Sequence, residues 1–244
     1  MDPRAPAVER AHFEGVASRR PELYWADRTA AGRRRQQIRA GLIARVAAPA
    51  GAGTMLEIGC GNAEYTEPLS RHTGATVVAI DIVPAVLTRV RPSVAANVRL
   101  TCADIERLPF ATGSCDAVVG NAVLHHLRLD RALPELLRVL RPGGRLCFAE
   151  PNMLNPQVFL ERNVGFIGRM LDNSPGETAF VRWSLRRRLA TLGLAEVEIR
   201  PFDFLYPLTP ARLVPIVERA GRLLERTPGL REIAGSLLVS ARKA

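Results

Sequence analysis

The run Leu56-Glu57-Ile58-Gly59-Cys60-Gly61-Asn62 constrains this chain more than any other stretch. An apolar, strand-like segment meets two closely spaced glycines and a helical pattern follows. The backbone must therefore turn sharply there, and it can approach a ligand closely. Around this turn, apolar runs alternate with helical periodicities, the pattern of βαβ units in a parallel sheet. Candidate strands are 55–58, 76–80, 98–102, 116–120 and 145–150. The fourth and fifth are almost continuously apolar, as strands covered on both faces are. Between them Leu133, Leu136, Leu137 and Leu140 repeat on one helical face, and Arg141-Pro142-Gly143-Gly144 ends that helix.

Residues 7–48 read as helical, and residues 151–181 as a less regular insertion. Ser184 then marks an N-cap, with Leu185, Leu189 and Leu192 on one face and Gly193 at C′. Residues 196–200 and 235–241 complete the strands. Thr209-Pro210 opens the helix between them, although Pro215 argues for a kink or a late start.

The 244 residues, with 47% hydrophobic content, fit one domain with a single core. Its expected parts are an N-terminal helical cap (1–49), a ligand-binding core (50–150), the insertion (151–181) and the C-terminal half of the sheet (182–244). No stretch has the length and apolar character of a membrane span, and Met1-Asp2-Pro3-Arg4 begins no secretory signal. Four cysteines stand singly, which suits a reducing cytoplasm and neither zinc nor disulfides. The net charge of +10 comes from arginines, Lys243 being the only lysine. They are spread along the chain, which reads as a compositional bias rather than a nucleic-acid surface.

Four strand ends carry polar chemistry. At the turn, Glu64 stands where a dinucleotide fingerprint has its third glycine, and Glu57 puts an acid beneath the turn, which repels phosphate and suits a cationic ligand. Asp81, 20 residues past Gly61, ends the second strand where a carboxylate can take a ribose diol. Asp104 ends the third, placed for an adenine amino group, with Ile82 and Ile105 for the ring faces. Asn121 ends the fourth, facing the remainder of the ligand.

Taken together, the turn, the two acids, the Asp116-Ala117-Val118-Val119 strand and Arg141-Pro142-Gly143-Gly144 resemble the class I S-adenosylmethionine-dependent methyltransferases of the small-molecule group. The resemblance covers about residues 55–150. It implies a Rossmann-like α/β fold: a seven-stranded, mostly parallel sheet of order 3-2-1-4-5-7-6, strand 7 antiparallel, with helices on both faces. It implies S-adenosylmethionine as cofactor and S-adenosylhomocysteine as product. The implied cofactor-binding residues are Glu57, Ile58, Gly59, Cys60, Gly61, Asp81, Ile82, Asp104, Ile105 and Asn121. It further implies a bacterial, cytoplasmic enzyme that methylates oxygen, nitrogen or carbon of a small metabolite, in secondary metabolism.

Candidate bases are His125 or His126, of which at most one should face the cavity, and Glu150. Tyr24, Trp25 and Asn152 are candidate substrate contacts. No metal is expected, because the histidines and acids show no ligand spacing beyond the adjacent His pair. The N-terminal helices, the insertion (Phe159, Phe166, Met170) and 202–206 are the segments able to roof an apolar pocket, for an apolar or partly anionic substrate. An RNA methyltransferase and a non-methylating protein of the same fold are the alternatives. Against the first, Asn121-Ala122-Val123-Leu124 lacks the Pro-Pro-aromatic run of exocyclic-amine enzymes. The sequence names neither the acceptor atom nor the oligomeric state.

Overall fold

A computed structural model describes residues 2–19, 29–49, 51–88 and 95–244. Tyr24 and Trp25 lie outside the described residues. Seven strands form one sheet: β1 (Thr54–Ile58), β2 (Thr76–Asp81), β3 (Val98–Cys102), β4 (Cys115–Asn121), β5 (Leu140–Pro151), β6 (Leu194–Phe202) and β7 (Ser236–Lys243). Their order is β3-β2-β1-β4-β5-β7-β6. β1 to β5 pair in parallel, and β7 runs antiparallel between β5 and β6.

Strand alternation sorts the core into two layers. Leu56, Ile58, Val118, Leu146 and Phe148 face one side, beneath α5 (Leu129–Val139) and α8 (Arg182–Ala190). Met55, Val77, Ala117 and Val119 face the other, against α2 (Ala30–Ala47) and α3 (Thr66–Ser70). Helix α2 therefore belongs to the layered core: Ala40, Ile43, Ala44 and Ala47 are buried on the sheet. Thr29 caps it, its hydroxyl accepting from the Gly32 amide at 2.8 Å. Helix α1 (Pro6–Arg19) lies over strand ends, with Ala17 and Phe13 packed on Val83, Val86 and Ile82.

Several boundaries differ from the sequence pattern. The chain joins β5 at Leu140, opposite Cys115, and Arg141 to Gly144 form an irregularity before Arg145 resumes pairing with Ala117. Helix α8 begins at Arg182, so Ser184 sits exposed in its first turn and caps nothing. Gly193, with φ of 72°, lies two residues past the C-cap Thr191. Thr209-Pro210 precedes a short 3-10 turn, and α9 (Val214–Arg226) starts late with Pro215 in its first turn. In the insertion, α6 (Pro156–Asn163) and α7 (Gly165–Met170) bury no residue, and Phe159, Phe166 and Met170 are 51%, 67% and 60% exposed. No helix among the described residues is long and apolar enough to cross a membrane.

One buried ion pair fastens α2 to the sheet. Arg39 Nη2 and Arg35 Nη2 stand 2.9 and 2.8 Å from Asp203 Oδ2, just beyond β6. Burial alone would raise the Asp203 carboxyl, but the two guanidiniums outweigh it and hold the group below its ordinary range. Removing one partner of a buried pair strands the other charges. Asp203→Ala should therefore lower the unfolding free energy by about 3–5 kcal/mol in urea titration; a loss below about 1 kcal/mol would mean that water compensates the arginines.

Candidate active site

The glycine turn is clamped to the end of β2. Gly59 and Gly61 have φ of 66° and 53°, a region costly for other residues. A Cβ on Gly59 would lie 2.5 Å from Val123 Cγ2, so the loop after β4 packs directly on the turn. Asp81 receives the Gly61 amide on one oxygen and the Val83 amide on the other, both at 2.9 Å. Burial raises the Asp81 carboxyl despite these bonds. Asp104 Oδ1 accepts the Glu106 amide at 2.8 Å. A carboxylate offers about four acceptor sites, so both acids retain lone pairs for a ligand.

Above the turn lies a cavity of about 250 Å³, walled by Gly59, Asp81, Ile82, Asp104, Ile105 and Asn121. Glu57, Ile58, Cys60 and Gly61 form the ground beneath it and do not line it. Glu57 is 1% exposed and takes the Thr66 hydroxyl at 3.1 Å. Burial pushes its pKa up to about 8, so the acid beneath the turn is largely uncharged at neutral pH. The expected electrostatic role of Glu57 gives way to a structural one. Two apolar side chains, Ile82 and Ile105, and two acids, Asp81 and Asp104, thus share one cavity.

The opposite wall comes from the N-terminal helices: Pro6, Glu9 and Phe13 of α1, and Gly32, Arg35, Gln36 and Arg39 of α2. Sequence reasoning missed the polar members of this wall. Their signal was the i,i+4 pair Arg35 and Arg39 with Gln36 beside it. Arg39 Nη1 donates to Asn121 Oδ1 and Asn121 Nδ2 donates to Gln36 Oε1, each at 2.8 Å, so the Asn121 amide is held at both ends. Residues 151–181 and 202–206 do not line this cavity. Phe202, Phe204 and Leu205 instead line a separate cleft on another face of α2.

The three expected bases occupy different places. His126 lines the cavity and His125 does not. His125 Nδ1 is 2.8 Å from Glu150 Oε2, and its Nε2 is 3.4 Å from Glu177 Oε1. Glu150 lies below the floor, its Oε1 taking the Val123 and Leu124 amides at 3.0 and 2.8 Å. Its acceptors are spent on holding the loop after β4, which corrects its assignment as a base. His126 Nδ1 is 3.0 Å from Ser174 Oγ. Burial lowers the His126 pKa, as does neighbouring His125. Burial pulls His125 down too, but Glu150 and Glu177 outweigh it and leave it above its ordinary value. Asn152 is also corrected: it is 1% exposed and donates to the Glu232 and Ala234 carbonyls at 2.7 Å, fixing the approach to β7 instead of touching the cavity.

Strand order, the antiparallel seventh strand and a cavity at the carboxyl ends of β1, β2, β3 and β4 define the fold of the class I S-adenosylmethionine-dependent methyltransferases. Residues 56–148 match the family described as methyltransferase domain. An uncharacterized methyltransferase of Mycobacterium tuberculosis is 39% identical over 98 residues, 40% of each chain. A malonyl-[acyl-carrier protein] O-methyltransferase of Herminiimonas arsenicoxydans is 37% identical over 99 residues, 40% of this chain and 37% of that one. The matched regions thus span about two fifths of the length of these relatives. In overall shape, a SAM-dependent methyltransferase of Thermotoga maritima superposes with a TM-score of 0.66, at 14% identity, over 96% of this chain and 99% of that one.

The Glu57 environment sets a pH dependence. Its native pKa of about 8 exceeds the ordinary 4.5, so between these values the folded state holds a proton that the unfolded state has released. Its contribution is full below about 4.5, falls by up to about 1.4 kcal/mol per pH unit, and is gone above about 8. Glu57→Gln should therefore gain stability relative to the parent as pH rises from 5 to 8.5 in paired urea titrations. A pH-independent difference would place the native pKa near its ordinary value.

Proposed function

We propose that the protein transfers the methyl group of S-adenosylmethionine to a small-molecule nucleophile that is already ionised, most simply a carboxylate, by positioning it rather than by removing a proton. When bound, this cofactor supplies an electrophilic methyl group on a sulfonium sulfur. In this reading Asp81 accepts from the ribose hydroxyls and Asp104 from the adenine amino group. Ile82 and Ile105 hold the ring, and Asn121, fixed by Arg39 and Gln36, holds the amino acid end.

One observation carries the choice of acceptor: of the side chains expected to act as a base, Glu150 and His125 have their polar atoms engaged within the protein, and His126, which lines the cavity, has its Nδ1 committed to Ser174. Glu150 serves the Val123 and Leu124 amides and His125, and Nδ1 of His126 serves Ser174. An acceptor with a free lone pair needs no such help, and alignment within an enclosed cavity can supply most of the acceleration. Arg35 and Arg39 outnumber their shared partner Asp203 and, with Arg4, face an acid from the wall opposite Asp81 and Asp104. The Herminiimonas relative is named for O-methylation of a malonyl group, which ends in a carboxyl, and it supports this class of acceptor.

Calorimetry and rate measurements test the two halves separately. Asp81→Ala should weaken S-adenosylhomocysteine binding by roughly 1.5–3 kcal/mol; a change below threefold would remove Asp81 from the ribose. With a panel of carboxylic acids as acceptors, kcat/KM should stay flat between about pH 6 and 8. A rising limb there would demand a base losing its proton, and would return the acceptor to a hydroxyl or ammonium.

A further inference from the structure

The polar cluster behind His126 has a composition and geometry that methyl transfer leaves unused. Beyond β4 the chain makes a 3-10 turn, Leu124–His126, which presents the two histidines side by side with ring centroids 4.1 Å apart. A third donor arrives from the insertion. Glu177 Oε1 lies 3.4 Å from His125 Nε2 and 4.0 Å from His126 Nε2, and a donor atom from each of the three residues falls within 4.8 Å of the others. Donors sharing one ion at about 2.0–2.1 Å sit roughly 3–3.5 Å apart, so modest side-chain movement would bring these three to that spacing.

The other ring nitrogens are occupied as metal-bound imidazoles require. His125 Nδ1 meets Glu150 Oε2 at 2.8 Å; His126 Nδ1 meets Ser174 Oγ at 3.0 Å, with Glu9 Oε2 at 3.4 Å. Such partners set the tautomer and leave Nε2 bare toward the ion. Charge points the same way. Glu9 and Glu150 are 5% and 1% exposed and the Glu177 side chain 9%, while the arginine paired with this group is Arg162, 2.6 Å from Glu177 Oε1. Three acid side chains thus stand around the two imidazoles against one guanidinium, an excess that a divalent ion would offset.

We propose that His125, His126 and Glu177 form a binding site for a divalent transition-metal ion. Two imidazoles and one carboxylate suit zinc, cobalt or ferrous iron and disfavour magnesium or calcium. Glu177 Oε2 stays with the Ser174 amide, now 2.8 Å away, and Arg162 yields its place on Oε1. His126 opens the site to the cavity. The ion would pin the insertion to the loop after β4, and this holds whether or not the methyl-transfer reading is right.

The full chain, stripped with chelator, is titrated with Co²⁺ and then Zn²⁺. One equivalent of Co²⁺ should bind with visible ligand-field absorption, which Zn²⁺ abolishes and Mg²⁺ does not. Glu177→Gln should remove that absorption and weaken Zn²⁺ at least tenfold, and Glu150→Gln, one shell out, should weaken it about 10–100-fold. Should Glu177→Gln fail to fold by circular dichroism, His126→Gln serves in its place. Absence of the absorption, or Zn²⁺ binding by a folded Glu177→Gln or His126→Gln equal to the parent, overturns the site and assigns any residual binding to surface histidines such as His72.

Discussion

The guanidinium of Arg39 ties helix α2 to the ends of three strands. It is 8% exposed, and its nitrogens reach Asp203 beyond β6, Ser236 at the start of β7 and Asn121 at the end of β4. A charge so deeply placed is tolerable only when each donor has a partner. The pairings therefore leave little freedom to the helix that carries it. Where Arg39 sits, α2 sits, and with α2 come Gln36 and Arg35 on the cavity wall and Ile43 on the sheet. Cavity shape and core packing are thus fixed by the same side chain.

At the opposite wall the determining group is a carboxylate. Asp81 receives one amide from the glycine turn and one from its own loop, and so sets the distance between β1 and β2 ends before any ligand arrives. Prepaid ordering of this kind lowers the entropy lost on binding. Glu57 beneath has the contrary environment, buried with one oxygen unpaired, and is inclined to stay protonated. Two acids on adjacent strands thus differ in role because one has amides around it and the other only Thr66.

Residues whose positions follow from strand periodicity were legible in the sequence. Asp81, Asp104 and Asn121 end apolar runs in parallel order, and a parallel sheet brings such ends to one rim. Strand order itself came with the family resemblance rather than with periodicity. What escaped was every partner supplied by a helix or an insertion. Glu9, Arg39 and Glu177 lie far in the chain from the groups they meet, and helical spacing says nothing of how a helix is rotated over a sheet. For that reason Glu150 looked like a strand-end acid open to the cavity, when the neighbouring loop had folded down onto it. Ser184 misled differently: a good capping residue is only a local preference, and burial of Leu185 and Leu189 set the start of α8 earlier.

The place of β7 bears on how the chain is made. β6 pairs with β7 alone, and β7 comes after it in the chain and slots between β5 and β6. During synthesis β5 and β6 therefore emerge as two bare edges, spaced for a strand the ribosome has not yet delivered. β1 to β5 can settle as a parallel unit, but the last third of the sheet must close by insertion, a non-local and slow event. Nascent chains halted between α9 and β7 would present those edges to each other and to chaperones.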